Sequence, residues 1–231
     1  MSKVIIGIVA KHNGETKKRP NTYIRDEVKQ AIFDNGAVAI GILPTEDQIK
    51  LCGNDWNDTL SDKERENLIA QINLCDGIII QGGTQNEEYE NVVAKYCYDN
   101  NIPLLGICAG QNNVVRALGG TTFKVNNPEK HNNSKDDYVH SIKIDSNSKF
   151  YKIVKKEEIM VNSRHNNSVE NCPLLVKVAV CEDGYADVVE SKDKDFYIGL
   201  RFHPESLYKI DENHNAIFQE FIKSCKNRQN I

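Results

Sequence analysis

Apolar runs of strand length alternate, through the first half of the chain, with segments whose apolar residues recur at helical spacing. That alternation predicts a mainly parallel sheet covered by helices on both faces. The opening run, Lys3 to Ala10, reads as a buried strand. A polar loop follows to Asn21, then a helix over about Tyr23–Asp34 that stops at Asn35-Gly36, a C-terminal signal. Strand Ala37–Leu43 ends at Pro44. Ser61 and Glu64 stand at capping-box spacing at the head of a helix over Ser61–Leu74, whose apolar stripe is Leu68, Ile69 and Ile72. Strand Gly77–Gln81 runs into Gly82-Gly83, and a helix over about Glu87–Asp99 precedes strand Pro103–Ile107. Cys108 then separates that strand from a helix over about Gln111–Leu118, closed by Gly119-Gly120.

Beyond this point the pattern changes. Residues 124–137 are rich in Asn, Lys and Asp, lack any period, and predict a surface loop or flap. Runs near Val139–Ile144, Glu158–Val161, Leu174–Val180, Ala186–Val189 and Tyr197–Phe202 predict antiparallel additions to the sheet, covered by a helix over about Glu212–Ser224. The 231 residues fit one α/β domain spanning 1–231.

Composition narrows the function classes. Lys and Arg total 29 against 33 Asp and Glu, a net charge of −4, which argues against a nucleic-acid partner. The nearest basic run, Lys17-Lys18-Arg19, reads as a solvated loop tip. The first apolar run is too short to span a bilayer and has no small-residue cleavage site, so no membrane association is expected. Seven scattered cysteines without a C-x-x-C pair suggest neither a zinc ribbon nor a disulfide framework, and a reducing, cytoplasmic setting is expected. The six histidines show no ligand spacing, so no metal is expected.

Three motifs carry chemistry. Leu104-Leu105-Gly106-Ile107-Cys108-Ala109-Gly110 has the form strand, Gly-x-Cys-x-Gly, helix, the cysteine counterpart of a nucleophile elbow. Glycines two residues to either side relieve crowding at the turn, and the helix N-terminus after Cys108 favours a thiolate. The Ala109 N–H would face a developing oxyanion. A thiolate that expels an amine needs a proton donor from a neighbouring strand end. His203, after strand Tyr197–Phe202, meets that need, with Glu205 two residues on to orient the imidazole. Strand Gly77–Gln81 ends in paired glycines that allow close backbone approach, making Gly83 the candidate second oxyanion donor.

Together, Gly-Ile-Cys-Ala-Gly, His-Pro-Glu and Asp76-Gly77-Ile78 leading into Gly82-Gly83 resemble the class I glutamine amidotransferase superfamily. Val161-Asn162-Ser163-Arg164-His165, Tyr23 with its helix, and Cys181-Glu182-Asp183-Gly184 resemble in particular its γ-glutamyl-γ-aminobutyrate hydrolase-like family. The resemblance implies a flavodoxin-like fold and a free-standing hydrolase. Its substrate would be a small γ-glutamyl amine, cut through a thioester on Cys108 with no cofactor, and a homodimer is compatible with it. It also implies that Arg164, His165 and Asn166 lie in a loop holding the glutamyl head group. Superfamily members commonly carry Gln four residues after the nucleophile; here Asn112 occupies that place and Gln111 precedes it, which leaves both as candidates for that role. Two other readings share the motifs: a glutaminase subunit feeding ammonia to a separate synthetase, and a catalytically silent γ-glutamyl-binding protein.

Overall fold

The computed structural model describes residues 3–13, 21–46 and 49–229; Lys17-Lys18-Arg19 and most of the loop before Asn21 lie outside them. Among the described residues one mixed sheet holds strands β1 (Ile5–Val9), β2 (Val38–Ile42), β3 (Gly77–Ile80), β4 (Leu104–Ile107), β5 (His140–Ile144), β6 (Glu158–Val161), β7 (Val176–Cys181), β8 (Ala186–Glu190) and β9 (Tyr197–Leu200). Their spatial order is β6-β5-β7-β8-β9-β4-β3-β1-β2. Strands β2, β1, β3, β4 and β9 run parallel, and β8, β7, β5 and β6 continue the sheet antiparallel. The helices are α1 (Asp26–Asp34), α2 (Asp62–Ile72), α3 (Glu88–Asp99), α4 (Ala109–Arg116), α5 (Lys149–Val154) and α6 (Glu212–Arg228). Ser61 caps α2 through the expected reciprocal bonds with Glu64. None of these helices is long and apolar enough to cross a membrane.

Side-chain alternation divides the core between the two sheet faces. Leu105, Ile107, Ile198 and Leu200 pack on one side with Phe202, Phe218 and Phe221. Leu104, Ile78, Ile80 and Tyr197 pack on the other with Tyr89, Val93 and Val114. Because the central parallel strands are buried on both faces, they read as continuous apolar runs.

The structure corrects several expectations. Tyr197–Leu200 is not one of the antiparallel additions: β9 pairs parallel with β4 and antiparallel with β8, and is the junction between the two halves. An apolar run declares burial but not its partner's direction. Helix α1 starts at Asp26, since Thr22–Tyr23 pairs antiparallel with Lys11–His12. The predicted flap at 124–137 is partly ordered by long-range pairing. Thr121–Lys124 ladders with Asn167–Asn171, Pro128–His131 forms a helical turn, and Asn132–Asn133 pairs with Ser163–Arg164. Helix α5, capped by Ser148, is too short to show a period in sequence.

Register sets up the next layer. Ile107 lies opposite Leu200, and Gly106 lies opposite Ile80. The residues that follow β3, β4 and β9 therefore emerge side by side at one sheet edge.

Candidate active site

Cys108 stands between β4 and α4 with φ +52 and ψ −104, outside the ordinary regions for an L-residue. Its N–H donates to the Leu200 carbonyl at 2.7 Å, which ties the turn to β9. The flanking glycines are demanded by contact. A Cβ on Gly106 would lie 2.8 Å from the Gly110 carbonyl oxygen, and one on Gly110 would lie 2.1 Å from that of Ile80. Helix α4 thus packs directly against the strands, with the thiol at its N-terminus.

His203 follows β9 and is clamped through its backbone. Its N–H donates to Asn162 Oδ1, and its carbonyl accepts from Asn162 Nδ2, both at 2.8 Å. Its Nδ1 lies 2.6 Å from Glu205 Oε1, and the imidazole interacts with the Cys108 thiol. The 3-10 turn Pro204–Ser206 brings Glu205 back toward the ring. All three side chains are buried.

Their charges are coupled. Burial pushes the Cys108 thiol up, but the His203 charge and hydrogen bond and the Arg201 charge outweigh it and hold the thiol below its ordinary value. Burial opposes the imidazolium of His203, yet Glu205 and Cys108 raise it to about 10. The two shifts act in one sense, each favouring the thiolate-imidazolium pair over the neutral pair. No other cysteine shares this: burial lifts Cys52 and Cys75 to about 12 and Cys181 to about 11, and raises Cys97, Cys172 and Cys225 as well.

A cavity of about 370 Å³ opens over the thiol, lined among others by Gly83, Ala109, Asn112, Arg164, His165 and Asn166. Every candidate binding residue from the sequence except Gln111 therefore lines one cavity. Gly83 lines the cavity, while Gly82 abuts the reacting groups: a Cβ there would lie 2.8 Å from His203 Cε1 and 3.3 Å from Cys108 Cβ. Ala109 opens α4, so its N–H has no intrahelical partner. Helical rotation separates Gln111 from Asn112. Gln111 turns to the sheet, where its amide donates to the Asp187 and Gly199 carbonyls, and Asn112 faces the cavity. Arg164 donates to Ser206 Oγ at 3.1 Å and has an unpartnered Nε. Both ring nitrogens of His165 lack partners, and burial with the charges of Arg201, His131 and His140 lowers its pKa to about 2, so it stays neutral. Asn166 sits exposed at the rim, accepting from Asn132 Nδ2.

Arg201 and Asn86 escaped sequence reasoning. Arg201 is 1% exposed, donates to the Cys108 carbonyl at 3.2 Å and to Asn112 Oδ1 at 2.9 Å, and lines the cavity. Burial lowers its pKa to about 10, and no carboxylate lies within ion-pair distance of it among the described residues. Asn86 donates to the Ala109 carbonyl and accepts from Asn112, bracing the start of α4. The cavity lining thus presents two guanidinium groups and no carboxylate. A larger hollow of about 810 Å³, near Lys156 and Gln219, has neither cysteine nor histidine in its wall.

Comparison with known proteins identifies the family. Residues 83–205, more than half of the chain, match the Peptidase C26 family. A glutamine-hydrolysing GMP synthase of Prochlorococcus marinus (strain MIT 9515) is 33% identical over 175 residues, 72% of this chain and 30% of that protein. The fold matches a protein assigned as a GMP synthase subunit from Thermoplasma acidophilum at a TM-score of 0.69 and 20% identity, covering 100% of this chain and 98% of the other. It also matches the acivicin-bound glutaminase domain of Trypanosoma brucei CTPS at a TM-score of 0.65 and 18% identity, covering 97% and 94%. The chain spans 30% to 36% of the length of the curated relatives it matches. It belongs to the Peptidase C26 family, within the class I glutamine amidotransferase superfamily.

Proposed function

We propose, from that family membership and from the geometry of the site, that the chain cleaves the amide bond of a γ-glutamyl compound through a thioester on Cys108. The observation that carries the reading is a thiol held low by buried cations, beside a cavity with two guanidinium groups and no carboxylate. The thiolate attacks the γ-carbonyl, and the oxyanion faces the N–H groups of Gly83 and Ala109. His203 protonates the departing amine and then activates the water that releases glutamate, while Glu205 holds its Nδ1. Arg164 and Arg201 offer charge to the substrate's α-carboxylate, and Asn112, His165 and Asn166 line the remaining wall.

The test is a panel of glutamine, a γ-glutamyl-aminobutyrate conjugate, a γ-glutamyl peptide and a folate polyglutamate, each assayed for glutamate release. Release from at least one, lost in Cys108→Ser, is expected. Silence on all four, with Cys108 unlabelled by diazo-oxo-norleucine at neutral pH, would leave only a binding role.

A second reading is favoured by one specific finding: the curated relatives are a GMP synthase and CTP synthases, each longer than this chain. On it, the chain is a glutaminase unit whose ammonia goes to a separate synthetase. Glutamine turnover that appears only when the partner is added would select it. Turnover of γ-glutamyl amines by the isolated chain would select the free-standing hydrolase.

A further inference from the structure

Behind the substrate cavity lies a second cluster that the proposed chemistry does not use. His131 ends the turn Pro128–His131, His140 opens β5, and Cys181 closes β7. Far apart in sequence, they meet so that one ligand atom from each lies within 4.8 Å of the others. His131 is 3% exposed and Cys181 5%, and His140 is partly buried.

Two further features distinguish this cluster from chance crowding. The Nδ1 atoms of both His131 and His140 are buried without a hydrogen-bond partner. Each ring's Nε2 meanwhile faces a carboxylate, Asp183 at 3.2 Å and Asp187 at 3.4 Å. Metal-bound histidines are commonly held in this way, with a carboxylate on one nitrogen fixing the tautomer and the other nitrogen free for the ion. A surface cavity of about 390 Å³ lined by all three residues provides an entry path.

We propose that His131 Nδ1, His140 Nδ1 and Cys181 Sγ form a binding site for a borderline-soft divalent metal, Zn²⁺ by preference, with solvent from that cavity as fourth ligand. Two imidazoles and a thiolate select zinc or its neighbours over magnesium and calcium, which take oxygen ligands. Zinc–ligand bonds of about 2.0–2.3 Å place tetrahedral ligand atoms roughly 3.3–3.6 Å apart, so ligand atoms within 4.8 Å of one another draw together by up to about 1.5 Å on binding. Binding releases the Cys181 proton to solvent and leaves the metal's oxidation state unchanged. The ion would also brace the substrate wall, because the His131 carbonyl accepts from Ser163 Oγ at 2.7 Å and from the His165 N–H at 2.9 Å.

The full chain carrying Cys108→Ala, stripped with chelator, removes the nucleophile as a competing ligand. Titration with Zn²⁺ by calorimetry is expected to show one equivalent bound at micromolar concentration or tighter, with a rise in melting temperature. Loading with Co²⁺ is expected to give a thiolate charge-transfer band and the intense visible bands of a tetrahedral site. Cys181→Ser should remove the charge-transfer band, and Asp183→Asn should weaken zinc affinity about 10- to 100-fold. His140→Asn, at the most exposed of the three positions, provides a variant whose fold is checked by circular dichroism without metal. Absence of saturable binding, or one equivalent bound with unchanged affinity in both His140→Asn and Cys181→Ser, would overturn the proposal.

Discussion

Replacing Glu205 by Gln removes a charge while keeping the shape, and its effect can be worked from the geometry. Glu205 Oε1 lies 2.6 Å from His203 Nδ1, and both residues are buried. At an effective dielectric of ~20 the bare attraction at that distance is roughly 6 kcal/mol, an upper limit because both groups pay desolvation. The net worth of a hydrogen bond to a charged group is about 1.5–3 kcal/mol, which is about 1–2 pKa units. The sign is set by His203, whose value is raised to about 10: its charged form is stabilised below that pH, and the stabilisation is lost as pH rises through it. Without the Glu205 charge this alkaline limit falls to roughly 8–9. The acid limit, set by the thiol, does not follow it, because the Glu205 charge itself raises the Cys108 value and its removal acts in the opposite sense. The variant's working window therefore shifts toward acid and loses its alkaline side, and turnover at neutral pH falls about 10- to 100-fold. That loss is smaller than the near-complete loss expected for Cys108→Ser or His203→Ala. Ring-labelled histidine followed by NMR across pH gives the His203 value directly, and alkylation of Cys108 gives the thiolate limb. An imidazole pKa unchanged by the substitution would refute the assigned coupling.

Two other substitutions probe the surroundings. Arg201→Gln removes the guanidinium that faces both thiolate and cavity, so the alkylation profile of Cys108 should move to higher pH and KM for a γ-glutamyl substrate should rise about 10- to 100-fold. An unchanged KM and profile would make Arg201 a packing residue only. Gly110→Ala puts a Cβ 2.1 Å from the Ile80 carbonyl oxygen, forcing α4 off β3, and should cost about 1–3 kcal/mol or more in urea unfolding together with most activity. A variant of native stability would show that the turn adapts.

The parts legible in sequence were those written locally. The elbow at Cys108, the His-Pro-Glu turn and the paired glycines each sit where a strand stops, and strand ends carry glycine, proline and polar punctuation. What sequence left open was decided by partners far along the chain. Gln111 and Asn112 are adjacent, and only the packing of α4 on β9 tells which one faces solvent-accessible space. Arg201 follows an apolar strand as any edge cation might; its role arises because the Cys108 carbonyl and Asn112 close over it. His131, inside a stretch with no period, is buried because its carbonyl accepts from residues 163 and 165. No spacing rule joins 131, 140 and 181.

The charges around Cys108 explain why a buried, unpaired guanidinium is tolerated beside a nucleophile. With the thiol ionised, the immediate neighbours of Cys108 are two cations, Arg201 and the His203 imidazolium, against two anions, the thiolate itself and Glu205, while Arg164 stands further along the cavity wall. Attack on a carbonyl moves the thiolate's charge onto the substrate oxygen without changing that sum. The protein therefore needs no fresh counter-charge in the transition state, only donors placed where the charge arrives, at the N-terminus of α4 and the glycines that follow β3. The strained backbone of Cys108 serves the same end, since it presents the sulfur to the cavity while its own N–H and carbonyl stay bound to Leu200 and Arg201. On this argument the cations are set for an incoming anionic substrate and for the oxyanion it becomes. A neutral acyl analogue lacking the α-carboxylate should then lose binding but retain its dependence on Glu205.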